Sequence, residues 1–339
     1  MCKFFPGAVL SLSAACVSSQ SLAAGDQVVL QTPNQIVAAA PASDWVRIAP
    51  DDLLVMDLAP GANGKPRRVV IQLISEPFSQ GWTGNIRKLA AARWYDGISV
   101  VRVQDNYVVQ WGDPDGEVPG KAKPLPDGLQ SMTEAEYEAD ASIANDPALK
   151  QKIKALEDLA AVMSQVSDMT PAEVLHGRDP YALVTGFEAG LPVASDGARI
   201  WPTHCYGSVG VGRNISPDTG TGAELYAVIG HAPRQLDRNI AVVGRVIAGI
   251  EHLSSLPRGT GELGFYETPA ERTAILAVRM GKDVSDLPAY EYLSTASQSF
   301  AVYMDKRANR KDDFYIQPAD GVDICNVPVP IRVAKRVGT

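Results

Sequence analysis

The sequence lacks the motifs on which several common enzyme classes depend. No GxSxG segment is present, which disfavours a serine hydrolase. The glycine-rich run 207–212 lacks the GxGxxG spacing and leads toward Pro217 instead of a helix, so no nucleotide site is expected there. The histidines have no HExxH or similarly close spacing, so we expect surface or structural residues, with neither a metal nor a cofactor bound. They are His176, His204, His231 and His252.

The chain also lacks an excess of positive charge and a membrane-spanning apolar run. Lys and Arg number 31 against 39 Asp and Glu, giving a net charge of -8, which argues against nucleic acid or an anionic membrane surface as a partner. No segment approaches the roughly 20 apolar residues that a spanning helix needs. With 45% hydrophobic residues the chain can still bury a sizeable core. We therefore expect a soluble, monomeric folded protein without a membrane span.

The N-terminal segment is typical of an export signal. Lys3 precedes the apolar run Phe4–Val17, and small residues follow up to Ala24. This pattern predicts a signal peptide over residues 1–24, cleaved near Ala24, and a periplasmic location. A lipoprotein is the less favoured alternative, because Ser13 stands where a lipid-attachment box before Cys16 would have leucine.

Cysteine is scarce in the rest of the chain. Of four cysteines, Cys2 and Cys16 lie in the predicted leader, which leaves Cys205 and Cys325. Two thiols in an oxidising compartment can form a disulfide. Two separately buried thiols are an almost equally good interpretation, because the sequence does not bring their Cα atoms together.

Short β-branched runs bounded by turn residues dominate the middle of the chain. They predict strands at 53–56, 67–74, 99–103, 107–111, 200–246 and 273–278, with a helix at 85–93. A helix is also expected after Asp146-Pro147, which supply an N-cap and a first-turn proline, and another after Thr170. The order predicts a polar linker at 25–44 and a mainly β domain at 45–282, interrupted by a helical insertion at 117–199. An α/β extension at 283–339 follows, with helical spacing around Phe300 and Tyr303.

Four segments resemble, in order, the motifs of cyclophilin-type peptidyl-prolyl cis-trans isomerases. The resemblance covers about 69–113 and 207–278, close to half of the chain without its leader. The central segment is an arginine between apolar residues, followed by an aromatic, an apolar residue, Gln, Gly and Asp: Arg102, Tyr107, Val108, Gln110, Gly112 and Asp113. The other three are the helix 85–90 with Tyr95-Asp96-Gly97, the run 222–226, and Leu236-Asp237 followed by 243–246.

The resemblance implies a closed eight-stranded antiparallel barrel with helices over its ends, and catalysis by Arg102. Gln110 would hold that arginine in place. Tyr107, Val108, Tyr226 and Leu236 would form the proline pocket, although without the order of the motifs a plain barrel core is the preferred interpretation of these residues. Arg213 and Asn214 would flank the bound peptide through backbone groups, and the partners would be unfolded or partly folded proline-containing polypeptides.

Four positions depart from the family pattern. Glu224 stands in place of the usual Gln, and could pair with Arg102 and either fix it or compete with the substrate carbonyl; it is included among the substrate-binding candidates. Gln235 and Ile240 replace a common Trp and His, and Val101 replaces the His before the arginine. These departures leave a second hypothesis open: a catalytically weak proline-peptide-binding or chaperone module of the cell envelope.

Overall fold

The computed structural model describes residues 31–166, 179–311 and 314–335. The predicted signal peptide, the expected helix start at Thr170 and His176 lie outside these ranges. The strands are β1 (Trp45–Arg47), β2 (Leu53–Leu58), β3 (Arg67–Leu73), β4 (Ser99–Val103), β5 (Val108–Gly112), β6 (Ala139–Asp140), β7 (Val184–Glu188), β8 (Leu191–Ser195), β9 (Arg199–Pro202), β10 (Ser208–Val211), β11 (Leu225–Val228), β12 (Val242–Ala248), β13 (Thr273–Met280), β14 (Tyr290–Leu293) and β15 (Ile331–Val333). The α-helices are α1 (Pro33–Ala39), α2 (Gln80–Ala91), α3 (Pro147–Val166), α4 (Glu251–Ser254) and α5 (Gln298–Ala308).

Eight antiparallel strands close into the predicted barrel. Their order around it is β10-β11-β5-β4-β13-β2-β3-β12, and β12 closes the ring by pairing with β10. The interior is filled by β-branched and aliphatic side chains from every strand, which suit a pleated, buried surface. The hairpin β4–β5 places Arg102 opposite Gln110 in the register, after an irregularity between Val100 and Arg102.

Helix α2 covers one end of the barrel. It buries Trp82, Ile86 and Leu89 completely, because these residues recur at the spacing of one helical face. Trp82 Nε1 donates to the carbonyl oxygens of Thr219 and Gly220, each at 3.0 Å, which ties the helix to the loop before β11. The helix begins five residues before the predicted start at 85.

The insertion between β5 and β10 is richer in β-structure than the sequence predicts. Helix α3 begins as expected after Asp146, whose Oδ1 accepts hydrogen bonds from the backbone N–H groups of Ala148 and Leu149. Residues 139–202 also supply a four-stranded antiparallel sheet in the order β6-β9-β8-β7. Only β9 lies in a segment with predicted strand character; β6 has just two residues and β8 contains Pro192, a residue that disfavours a strand assignment.

The N-terminal and C-terminal segments pack together, and the described part of the predicted linker at 25–44 contains helix α1. Thr32 and Gln35 form a reciprocal capping box that starts α1, which packs against α5. Trp45, assigned from sequence to the barrel domain, begins a strand that pairs with β14 in the sheet β1-β14-β15. Strand β14 ends at Leu293, and the expected helix around Phe300 and Tyr303 is α5, which starts at Gln298. Within the described residues no helix is long and apolar enough to cross a membrane.

Candidate active site

Arg102 lies at the surface end of the β4–β5 hairpin with its guanidinium tied to three acceptors. Nη1 donates to Oε1 of Gln110 at 3.0 Å, and Nε donates to the carbonyl oxygen of Leu263 at 2.8 Å. Nη2 donates to Oε1 of Gln104. A guanidinium has five N–H groups, so two remain after these bonds within the described part of the chain.

Two aromatic rings flank the same guanidinium. Its Cζ lies 5.6 Å from the centre of the Tyr107 ring and 5.2 Å from the centre of the Phe265 ring. Both distances fall within the range of cation–π attraction. Burial lowers the pKa of Arg102, while the negative potentials of Tyr107 and Glu224 act in the opposite direction.

Glu224 contacts the arginine indirectly, through Gln110. The amide Nε2 of Gln110 donates to Oε1 of Glu224, while its Oε1 accepts from Arg102. Among the described ion pairs none joins Glu224 to Arg102, so the direct pairing considered from sequence is absent there. The stem of Glu224 packs against Gly112 and Gly212, and this burial raises the pKa of its carboxyl group.

An apolar cluster lies beside the arginine. Val108, Tyr226 and Val228 are its buried members, because β5 and β11 pair side by side and present them on one face. Three partly exposed side chains pack against them: Tyr107, Leu236 and Ile240. The structure therefore brings together all four residues assigned from sequence to the proline pocket and adds Val228 and Ile240.

Arg213 and Asn214 lie at the edge of this region, and their polar groups make hydrogen bonds within the chain. Arg213 donates from Nε and Nη2 to the carbonyl oxygen of Asn239, at 3.0 and 2.9 Å, and from Nη1 to that of Asn214 at 2.7 Å. The backbone N–H of Asn214 donates to Oδ2 of Asp218 at 2.9 Å. Both backbone groups of Asn214 thus have one partner each inside the chain, and the expected contact of this segment with a bound peptide stays a prediction.

A buried polar chain backs the apolar cluster. The hydroxyl of Tyr226 lies 2.9 Å from Nε2 of His204, and Nδ1 of His204 lies 3.0 Å from Oδ1 of Asp237. Nε of Arg234 donates to the other oxygen of Asp237, Oδ2. His204 has no exposed surface, so it is the satisfied structural histidine that the sequence suggested, although placed directly behind a predicted site residue.

A disulfide joins Cys205, next to His204, to Cys325 in the C-terminal extension. Beside it lies a cavity of about 300 Å³ between the barrel, the insertion sheet and the extension, lined among others by Arg245, Arg307 and Val327. A second cavity, of about 380 Å³, lies between α3 and residues 140–144 and 197–198. Neither of these two cavities is lined by Arg102 or the apolar cluster beside it.

Sequence reasoning missed three residues that touch the guanidinium: Gln104, Leu263 and Phe265. Gln104 carries a local signal, because it follows Arg102 by two positions and neighbouring side chains on one face of an extended segment recur at that period. Leu263 and Phe265 carry none. Their loop reaches Arg102 from about 160 residues further along the chain and pairs with it through the bridge between Arg102 and Phe265.

The sequence model of one protein family matches residues 66–280, and its description is cyclophilin type peptidyl-prolyl cis-trans isomerase/CLD. The match includes β3 to β13 and every residue that contacts the guanidinium of Arg102. No curated protein matches the chain.

Two solved structures with a likeness to this chain are both described as cyclophilins. The cyclophilin AquaCyp293 from Hirschia baltica has 20% sequence identity and a TM-score of 0.57, over 90% of this chain and 99% of that chain. A cyclophilin type peptidyl-prolyl cis-trans isomerase from Cryptosporidium parvum, determined in the presence of the dipeptide Ala-Pro, has 11% identity and a TM-score of 0.34, over 67% of this chain and 98% of that chain.

Proposed function

This chain belongs to the cyclophilin-type peptidyl-prolyl cis-trans isomerase family, matched over residues 66–280, and on that premise we propose that Arg102 is its catalytic group. The activity that follows from the family is isomerisation of X-Pro peptide bonds. One observation carries the assignment of the arginine: its guanidinium is held by the side chains of Gln110 and Gln104 and the carbonyl of Leu263, beside the apolar cluster around Tyr226.

Rotation about a prolyl bond needs neither a nucleophile nor a metal. Amide resonance opposes the rotation with a barrier of about 18–20 kcal/mol. In the twisted state the proline nitrogen has recovered its lone pair and accepts a hydrogen bond that the planar isomers cannot accept. A donor held beside this nitrogen therefore stabilises the transition state more than either ground state, and this difference is what lowers the barrier.

The contacts of Arg102 suit that role. An arginine remains charged even when it is partly buried, and its planar fork keeps a fixed direction once Nε and both Nη atoms are anchored. The two remaining N–H groups provide donors for the twisted amide. At about 1.4 kcal/mol per tenfold in rate, a thousandfold acceleration requires roughly 4 kcal/mol, a contribution of the size that one placed donor makes in other active sites.

We also propose that the substrates are exported polypeptides that fold in the periplasm. The support is the signal-like pattern of residues 1–24 together with the disulfide Cys205–Cys325, since disulfides persist in oxidising compartments. Isomerisation of prolyl bonds takes tens of seconds or longer when uncatalysed, so it limits the folding of such chains. Fractionation of expressing Gram-negative cells, with N-terminal sequencing, tests this. Retention of residues 1–24 in a cytoplasmic product contradicts it.

A protease-coupled assay on succinyl-Ala-Ala-Ala-Pro-Phe anilide tests the catalytic assignment. We expect Arg102→Ala to lower kcat/KM by about 10²–10³-fold, the usual cost of losing one transition-state donor. Arg102→Lys should recover little, because a lysine cannot make the forked contacts. Arg47→Ala, at an arginine 56% exposed in the terminal sheet, is the matched control.

Equal rates for wild type and Arg102→Ala would remove the arginine mechanism. Peptide binding is then measured by NMR titration with the same peptide. Binding without turnover in the wild type favours the alternative, a proline-binding or chaperone module.

A further inference from the structure

The floor of the apolar cluster carries a phenol whose hydroxyl points away from it. Tyr226 is 5% exposed, and its ring packs with Val108 and Val228. Its hydroxyl lies 2.9 Å from Nε2 of His204, and the two rings stack with their planes 13° apart. The hydroxyl therefore makes its hydrogen bond behind the cluster, and only the ring of Tyr226 faces the region where a proline would bind.

One oxygen of the Asp237 carboxylate binds both the imidazole ring and the backbone N–H of His204. Its Nδ1 lies 3.0 Å from Oδ1 of Asp237, and its backbone N–H donates to the same oxygen at 2.8 Å. A carboxylate only accepts, so in the neutral imidazole the proton lies on Nδ1 and Nε2 accepts from Tyr226. Arg234 then pairs with Oδ2 of Asp237. The bonds to Asp237 therefore orient the imidazole of His204 independently of Tyr226.

This polar chain connects two sides of the apolar cluster. Tyr226 belongs to β11, whereas Asp237 directly follows Leu236, which packs on the same cluster from the 3-10 turn Arg234–Leu236. Arg234 extends the chain to Asp179 of the insertion, at 3.3 Å. The distance between the Tyr226 ring and the Leu236 side chain is consequently constrained by bonds that do not involve Arg102.

The neighbouring backbone is adapted to the phenol. A Cβ on Gly210 would lie 2.3 Å from both Cζ and the hydroxyl oxygen of Tyr226, so only glycine leaves room for it. The turn that presents His204 is closed by Ser208, which accepts from the backbone N–H of Cys205 at 3.0 Å and donates to the carbonyl of Thr203 at 3.2 Å. Gly210 thus leaves room for the phenol, and Ser208 holds the turn that contains His204.

We propose that His204 is a positioning residue that fixes the depth of the proline pocket through Tyr226, and so makes the enzyme selective for the five-membered ring of proline. The inference rests on the proposed function and deepens it. His204 touches neither the substrate region nor Arg102, so its effect falls on ring recognition and not on the twisted amide.

Loss of the Tyr226–His204 hydrogen bond should loosen recognition without disabling the donor. A net hydrogen bond contributes about 0.5–1.5 kcal/mol, which corresponds to a change of roughly 2- to 10-fold in KM. The same loss should bring kcat/KM for a six-membered ring closer to that for proline, because a mobile floor admits the larger ring. The value of kcat for proline should remain within about twofold, since Gln110 and Leu263 still orient Arg102.

The experiment compares Tyr226→Phe, His204→Ala and His204→Gln in the full chain. Each is assayed on succinyl-Ala-Ala-Ala-Pro-Phe anilide and on the same peptide with pipecolate in place of proline. The matched control is Tyr303→Phe, which also removes a buried phenol hydrogen bond, 2.8 Å long to the carbonyl of Pro328, but in the C-terminal extension. The glutamine side chain carries an amide group that can replace the imidazole as the hydrogen-bond partner of the Tyr226 hydroxyl.

The expected result is a raised KM and reduced ring selectivity in Tyr226→Phe and His204→Ala, partial rescue in His204→Gln, and no change in Tyr303→Phe. The inference is overturned if Tyr226→Phe behaves like Tyr303→Phe on both peptides. If His204→Ala does not fold, Tyr226→Phe alone decides, because it keeps the ring. If the wild type lacks turnover, the proposed function fails separately, and NMR binding of the two peptides by the same variants decides the inference.

Discussion

The Nε of Arg102 donates to the carbonyl oxygen of Leu263 at 2.8 Å, although the two residues are 161 positions apart in the chain. The bond determines which edge of the guanidinium faces the loop and which faces the apolar cluster. The backbone of Leu263 itself has a left-handed conformation, with φ at 53°. The loop before β13 is therefore part of the site, and not only a connection between barrel elements.

Phe265 should contribute to turnover through its ring against the guanidinium. A cation–π contact at a partly exposed site contributes about 0.5–1 kcal/mol, so Phe265→Ala is expected to lower kcat by roughly 2- to 5-fold with little effect on stability. The control is Leu276→Ala, which removes an apolar side chain of similar exposure from β13. Equal kcat values for the two variants in the protease-coupled assay would mean that Phe265 is not needed to orient Arg102.

Glu224 should make stability depend on pH in a direction set by its burial. Its pKa is raised, so its contribution to stability is complete below the ordinary glutamate pKa and is lost as pH rises through the raised value. Because glutamine does not ionise, Glu224→Gln removes this loss of stability at high pH. We expect the variant to gain stability over the wild type at pH 7.5 and to lose that gain at pH 4, as measured by urea unfolding.

Glu271 is the matched control, because its pKa is shifted in the opposite direction. Hydrogen bonds from Thr260 and Thr268 lower the pKa of its carboxyl group. Glu271→Gln should therefore cost stability at neutral pH and less at pH 4. A Glu224→Gln variant that follows the Glu271→Gln trend would show that burial of Glu224 is not what governs its ionisation.

Two glycine substitutions should have opposite effects on stability. Gly210→Ala places a Cβ 2.3 Å from the Tyr226 ring and should cost about 1–3 kcal/mol through overpacking. Gly84→Ala, inside α2 and with no described heavy atom beyond the surrounding helix backbone within 4 Å of the new Cβ, should gain roughly 0.5–1 kcal/mol because alanine loses less backbone entropy. Midpoints of urea unfolding measure both, and a neutral Gly210→Ala would show that Tyr226 has room to move.

The disulfide Cys205–Cys325 should stabilise the fold and become the target of reductants. It closes a loop with a sequence separation of 120, so its loss should cost about 2–5 kcal/mol. Dithiothreitol should lower the midpoint of thermal unfolding of the wild type and leave that of Cys325→Ser unchanged. If dithiothreitol lowers the unfolding midpoint of both proteins equally, the effect of the reductant does not come from this disulfide.

Local patterns were sufficient for barrel strands β2 to β5 and β13, and so for the hairpin that carries the arginine, whereas β10 to β12 fell in one undivided predicted range, 200–246. Strands β2 to β5 follow β-branched runs bounded by turn residues, and α3 follows the Asp146-Pro147 cap, so their signals lie within a few positions of each residue. Arg102, Tyr107, Val108 and Gln110 share one hairpin for the same reason. The insertion sheet and α1 were not predicted, because their short segments are stabilised by neighbours distant in sequence.

The sequence by itself determined that an arginine, a glutamine and an aromatic residue share one hairpin of a β-rich fold, since strand pairing across a short turn follows from pattern alone. Only the tertiary structure decided that Leu263 and Phe265 hold the arginine and that His204 stands behind Tyr226. It also decided that Glu224 reaches Arg102 through Gln110. Such contacts join separate segments, and the path of the chain through space, which no local propensity encodes, brings them together.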